Sequence, residues 1–282
     1  MTDFRGIVSG VLAPFGAVAA IEAASPLATL AQSKNGFDLS NASVPVDQIV
    51  SGGPPRDGIP ALTDPRFETV TQAAAWMRPD DRLLALEIGR QAKAYPLRIL
   101  NWHEVVNDQV GRRPVLVTYC PLCGTGMAFD PVVRGKRMLF GVSGLLYNSD
   151  VLMYDRETES LWSQIARRAT SGSLRGTSLE LLPLVHTTWD RWRREHPRGL
   201  VLSRETGHDR DYDRDPYLQY AAEPGVMFPL GHRDSRLPEK ALVLASCVQA
   251  VKTSSHPIAS AMPRRISAVP ARRTTKSFTS SP

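Results

Sequence analysis

The sequence predicts an α+β fold, mainly antiparallel β with a few short helices, in a single domain. Three observations predict it. Turn residues punctuate the chain at short intervals, at Gly52-Gly53-Pro54-Pro55, Asp57-Gly58, Gly111, Gly124, Gly135, Gly144, Gly172 and Gly176. The apolar runs between them are short and of β type. Stretches of helical period are few. In chain order the runs at 83–88 (LLALEI), 92–95 (AKAY), 115–119 (VLVTY), 137–142 (RMLFGV) and 200–203 (LVLS) read as strands. The segments 69–77, 96–106 and 188–195 carry the best helical spacing, and Asn107-Asp108 reads as the turn after the second of them. No Pro/Ser linker interrupts 36–245, which is therefore taken as one domain.

Of the 282 residues 42% are hydrophobic and 22% charged, enough for an ordinary apolar core. A net charge of +6 invites a nucleic-acid reading, so its location matters. Six basic residues, Lys252, Arg264, Arg265, Arg272, Arg273 and Lys276, lie in 248–282 with no acidic residue among them, which leaves 28 basic against 28 acidic in the remainder. The body is neutral, and no nucleic-acid partner is expected. The segment 248–282 is rich in Ser, Thr, Pro and Ala and aperiodic, so it is predicted to be a disordered basic tail. Residues 242–245 (LVLA) begin like a strand and the pattern then stops, as a frame shift would produce.

At the other end, Arg5 precedes an apolar run at 6–20 and small residues at Ala23-Ala24-Ser25, the order of a secretory signal peptide. Residues 1–32 are therefore predicted to be signal-peptide-like or disordered, and the protein periplasmic or secreted. The run is too short and broken for an integral membrane span. Neither a Rossmann phosphate loop nor a GxSxG elbow appears, so no nucleotide cofactor is expected.

The chemistry centres on Cys120-Pro121-Leu122-Cys123-Gly124. Proline fixes one φ and glycine can take a positive one, which frees backbone N–H groups to point at the thiolates, as in one knuckle of a rubredoxin or zinc ribbon. The chain holds only one other cysteine, Cys247, so the second knuckle is absent. A half site with an open position suits a transition metal, copper or zinc, completed by histidine, carboxylate or a second subunit. A redox dithiol is the second alternative, although Gly124-Thr125-Gly126 followed by 127–129 reads as turn and strand, with no helix to activate a thiol. A structural role, as a disulfide or as a buried thiol pair in a β-turn, is the third.

The segments 51–64 (SGGPPRDGIPALTD), 94–108 (AYPLRILNWHEVVND), 117–125 (VTYCPLCGT), 140–148 (FGVSGLLYN) and 153–164 (MYDRETESLWSQ) resemble the bacterial family called domain of unknown function 3179. The resemblance covers 36–245 and implies export but no reaction. Family members usually continue with a second copy of a strand-turn-strand unit like 84–96, and 242–245 resembles its start. The chain is thus expected to be a C-terminally truncated or frame-shifted member.

Other polar residues are weighed as partners of the thiols. His103, at the end of a predicted helix, is the first choice as third metal ligand, and Glu104 would orient that imidazole or act as a base. Asp155 and Arg156 are candidates for catalysis or, alternatively, for a buried ion pair that fixes the site wall. Asn148 and Gln164 offer amides to a bound small molecule, or else tie loops down. His186 is a reserve ligand, read together with Trp189 and Trp192 as part of a helix packed on the sheet. Asp209, Asp211, Asp213 and Asp215 alternate like a calcium loop but lack the glycine and closing glutamate of an EF-hand. The function expected is an exported metal-binding protein or metal-dependent enzyme. The alternatives are a non-catalytic scaffold that binds a small molecule or protein, with the thiols in a disulfide, and a thiol-disulfide redox protein.

Overall fold

Alternation of side chains along one strand organises the molecule. In Arg113–Cys120, Val115, Val117 and Tyr119 enter one apolar cluster, while Leu116 enters another on the opposite face, which it shares with Thr118 and Cys120. The computed structural model describes residues 33–243 and the backbone of 244 and 269–270, so the expectations for 1–32 and for nearly all of 248–282 lie outside the described residues.

This strand is the middle of a central sheet ordered Glu180–Leu182, Thr125–Asp130, Arg113–Cys120, Val105–Val110 and Leu62–Thr63, antiparallel except for the last pair. On its Leu116 face lies an antiparallel sheet, here the thiol-side sheet, ordered Arg168–Ala169, Leu161–Ser163, Asp150–Asp155, Phe140–Tyr147 and Ile49–Ser51. Phe129, Phe140, Val142, Met153 and Trp162 fill the space between the two. On the Val117 face lies a helix-side sheet ordered Val185–Thr188, Arg82–Ile88, Gln91–Pro96, Leu200–Leu202 and Phe67–Thr69, whose Leu84, Leu86 and Tyr95 pack with Val106 and Val117. Three β layers with few and short helices match the predicted fold class.

The helices cover the remaining faces. Val70–Ala73 begins with a capping box between Thr69 and Gln72. In Trp189–Glu195 the rings of Trp189 and Trp192 stack at 6.0 Å and pack with Leu83, Ala94 and Val201, as expected, although His186 itself lies in the preceding strand. A fourth helix, Leu218–Ala222, has no counterpart in the sequence reading. No described helix is long and apolar enough to cross a membrane.

Two local readings are corrected. The helix Leu97–His103 stops before 106 because Glu104 takes a φ of 56°, and Val105–Val110 follows at once as a strand that contains Asn107 and Asp108. Those polar residues are not turn formers here because distant partners satisfy them. Asn107 Oδ1 accepts from Phe140 N at 2.8 Å, and its Nδ2 donates to Phe140 O at 2.8 Å. Asp108 accepts two hydrogen bonds from Lys93 Nζ at 2.9 and 2.8 Å and one from Tyr95 O–H at 2.8 Å. The predicted strand 137–142 is likewise divided: Lys136–Arg137 pairs with Val132–Val133, and the long strand runs Phe140–Tyr147.

Candidate metal centre

Cys120 is the last residue of Arg113–Cys120, and Thr125 pairs back opposite it. The intervening turn closes through Gly124 at φ 65°, the positive value expected of that glycine. Strand alternation aims Cys120 at the thiol-side sheet. There the hairpin of Phe140–Tyr147 and Asp150–Asp155 turns through Asn148 and Ser149, at φ 53° and 57°, with Tyr147 paired to Asp150. Positive φ at both central residues is what a type I′ turn requires, and asparagine tolerates it. The turn carries Ser149 O to 3.7 Å from Cys120 Sγ and Asp150 Oδ1 to 3.8 Å from Cys123 Sγ.

The two sulfurs and an Asp150 carboxylate oxygen all lie within 4.8 Å of one another. A tetrahedral ion with bonds of about 2.0–2.3 Å would separate its ligands by ~3.3–3.8 Å, so small side-chain adjustments suffice. Asp150 is oriented by Ser163 O–H at 3.3 Å and Ile165 N–H at 3.1 Å, both on Oδ2, which leaves Oδ1 toward the thiols. Both cysteines are free, not joined in the disulfide that the scaffold alternative requires.

The electrostatics are those of an uncompensated acidic cluster. The hydrogen bond between the thiols, then burial, hold Cys120 well above the usual thiol range, and the same bond lowers Cys123. Burial pushes the Asp150 carboxyl up to about 7 and the fully enclosed Glu104 carboxyl up to about 7. Glu104 and Asp150 both act on the Cys120 thiol, raising it. Among the described residues no lysine or arginine forms an ion pair with Asp150 or Glu104. Such a cluster holds either protons or a cation.

The structure places the other candidates differently. His103, the first choice as third ligand, engages both ring nitrogens elsewhere: Nδ1 with Pro60 O at 2.7 Å and Nε2 with Tyr212 O–H at 2.6 Å. Because Pro60 O can only accept, Nδ1 carries the proton and Nε2 accepts from the tyrosine. Burial depresses that imidazole to about 4, and the residue that clusters with the two thiols is Asp150. Glu104 accepts from Tyr217 O–H at 3.3 Å, so its partner is a phenol and not the imidazole. Asp155 and Arg156 do not pair with each other. Asp155 accepts from Thr158 N–H and O–H and from Trp162 Nε1–H, which closes a turn, whereas Arg156 makes a two-point bridge to Asp57 at 3.0 and 3.2 Å.

Asn148 forms the hairpin turn and accepts from Gly231 N–H at 2.8 Å. Gln164 is fully buried and bridges to the central sheet, donating to Thr118 Oγ1 at 2.8 Å and Thr125 O at 3.2 Å. His186 Nε2 lies 3.4 Å from Gly126 O, and the ring is not among the clustered ligands. In the aspartate series, Asp213 bridges Arg98 and Arg204, Asp215 accepts from Asn101 Nδ2–H, and Asp211 accepts from Asp213 N–H, so these carboxylates serve turns and ion pairs. Asp150 is the member of the cluster that sequence reasoning missed. Its signal was the Asn148-Ser149 pair after an apolar run, a two-residue turn that puts Asp150 at the head of the next strand.

Residues 56–264 match the family model described as "Protein of unknown function (DUF3179)". The chain belongs to this family. The matched span extends beyond the expected boundary at 245, and the family description names no reaction. Comparison with curated proteins and with solved structures found no match.

Proposed function

We propose that this member of the family is an exported metal-binding protein whose ion is held by Cys120, Cys123 and Asp150, with zinc favoured over copper. The observation that carries the reading is the convergence of three ligand atoms within 4.8 Å, from a strand end and turn of the central sheet and a strand of the thiol-side sheet, in a largely buried place where no basic side chain among the described residues pairs with the carboxylate. Zinc accepts thiolate and carboxylate together, whereas the soft cuprous ion prefers thiolate, thioether and imidazole, so an aspartate in the set favours zinc. Three protein donors leave one tetrahedral position open, the arrangement of exchange and catalytic sites rather than of closed structural ones. Export rests on the signal-like order of residues 5–25.

Metal analysis of the full chain recovered from the periplasm is the test. One zinc per chain is expected, lost in Cys120→Ser, Cys123→Ser and Asp150→Asn while each variant stays folded. Zinc absent from the wild type, or retained in all three variants, refutes the reading. One observation favours thiol-disulfide exchange as a second reading: the two thiols are free and adjacent, with Cys123 only half-buried and Cys120 buried, as for an attacking and a resolving thiol. In that case metal is absent and Cys123 reacts with an alkylating reagent much faster than Cys120.

A further inference from the structure

Gln164 is tied to the hairpin that carries the two cysteines, with its amide only half satisfied. Its Nε2 donates to Thr118 Oγ1 and to Thr125 O, and Thr118 Oγ1 in turn donates to Met127 O at 3.2 Å. Both nitrogen partners are therefore acceptors, which fixes the orientation of the amide and leaves Oε1 as an acceptor. That oxygen is buried and has no hydrogen-bond donor, although the residue is 0% exposed. An orphaned buried carbonyl is destabilising, so it calls for a specific explanation.

Its place supplies one. Thr118 and Cys120 are two residues apart on one strand and project to the same face, and Thr125 is the cross-strand partner of Cys120. Gln164 grips both Thr118 and Thr125, so its amide lies along the Cys120 face of the central sheet. The residues on either side of it in the chain, Ser163 and Ile165, are the two that orient Asp150. The amide thus sits between the element that carries the thiols and the element that carries the carboxylate.

We propose that Gln164 is a positioning residue for the open fourth position of the centre, its Oε1 accepting a hydrogen bond from a water molecule bound to the ion there. The inference rests on the metal reading above. An acceptor with no proton of its own selects a ligand that donates, and metal-bound water donates strongly because the ion withdraws charge from it. The position is then an exchangeable one, held for water or for a substrate that presents an O–H or N–H group to the amide.

Cobalt(II) reports on this without any known activity, since its visible spectrum follows coordination. The full-length protein and Gln164→Leu, each loaded with one cobalt per chain, would be titrated with azide. Azide should change the wild-type spectrum by displacing the water. In Gln164→Leu the water has lost its acceptor, so azide should bind about two- to tenfold more tightly, the net worth of one hydrogen bond. Gln164→Met, which keeps the length of the side chain without the acceptor or a charge, should tighten azide binding by a comparable factor. A packing defect would loosen the site and weaken azide binding, so tighter binding carries the sign of the lost acceptor, and either variant that folds suffices to test the direction. No cobalt uptake by the wild type overturns the centre and this inference with it. Cobalt uptake with a spectrum indifferent to azide, or with equal azide affinity in wild type and variants, overturns the role of Gln164 alone and leaves the centre standing.

Discussion

Two buried carboxyls give the centre its response to pH. Burial moves Asp150 from 3.8 to about 7 and Glu104 from 4.5 to about 7, so the folded protein keeps both protons to a higher pH than the unfolded chain does. The stabilisation is fully present below about pH 4 and is lost as pH rises through about 7. In the metal-free protein the melting temperature should therefore fall between about pH 4.5 and pH 7, and Glu104→Gln or Asp150→Asn should each flatten the decline; a level wild-type profile refutes the shifts. Zinc competes with the same protons, so its affinity should rise over that interval. At this scale the cysteine pair was legible because its spacing is local. The carboxylate that clusters with it was not. His103 and Asp150 are both polar residues next to a turn, and only their partners tell them apart: Pro60 and Tyr212 occupy the imidazole, while Asp150 keeps an oxygen toward Cys123.

The hairpin that presents Asp150 depends on a glycine at the scale of the element. The register of Phe140–Tyr147 against Asp150–Asp155 shifts between Val142 and Leu145, and Gly144 within the irregularity has φ 72°. A Cβ there would fall on Pro54 O and come within 2.9 Å of Asn35 Nδ2, so neither the backbone angle nor the space admits a side chain. Gly144→Ala should cost at least about 2 kcal/mol in urea denaturation, from left-handed backbone and overpacking together, and should weaken zinc binding through the displaced hairpin. A loss under about 0.5 kcal/mol would show that the irregularity is not needed. The strands Arg82–Ile88, Gln91–Pro96, Arg113–Cys120 and Leu200–Leu202 were legible from short apolar runs between turn residues. Val105–Val110 was not, since Asn107 and Asp108 read as a turn unless their bonds to Phe140, Lys93 and Tyr95 are known. Those partners lie on other strands, and local propensity does not register them.

On the scale of the whole molecule the centre joins two layers, with the thiols on the central sheet and the carboxylate on the thiol-side sheet. An ion held by both clamps them together, and its binding energy adds to folding stability. Zinc at about a hundred times its dissociation constant should add ~2.7 kcal/mol and raise the melting temperature by about 5–10 °C. Asp150→Asn should abolish that shift; an equal shift in the variant would place the ion elsewhere. The sequence by itself determined the fold class, the family and the CPLCG turn, because hydrophobic alternation, turn chemistry and a short motif are properties of neighbouring residues. Tertiary structure alone decided the stacking of three sheets, the clustering of Asp150 rather than His103 with the thiols and the bridging of Gln164 to Thr118 and Thr125. The last two depend on residues 27 or more positions apart meeting across a sheet interface, as Cys123 and Asp150 do, and every such meeting is set by packing and register rather than by any local preference.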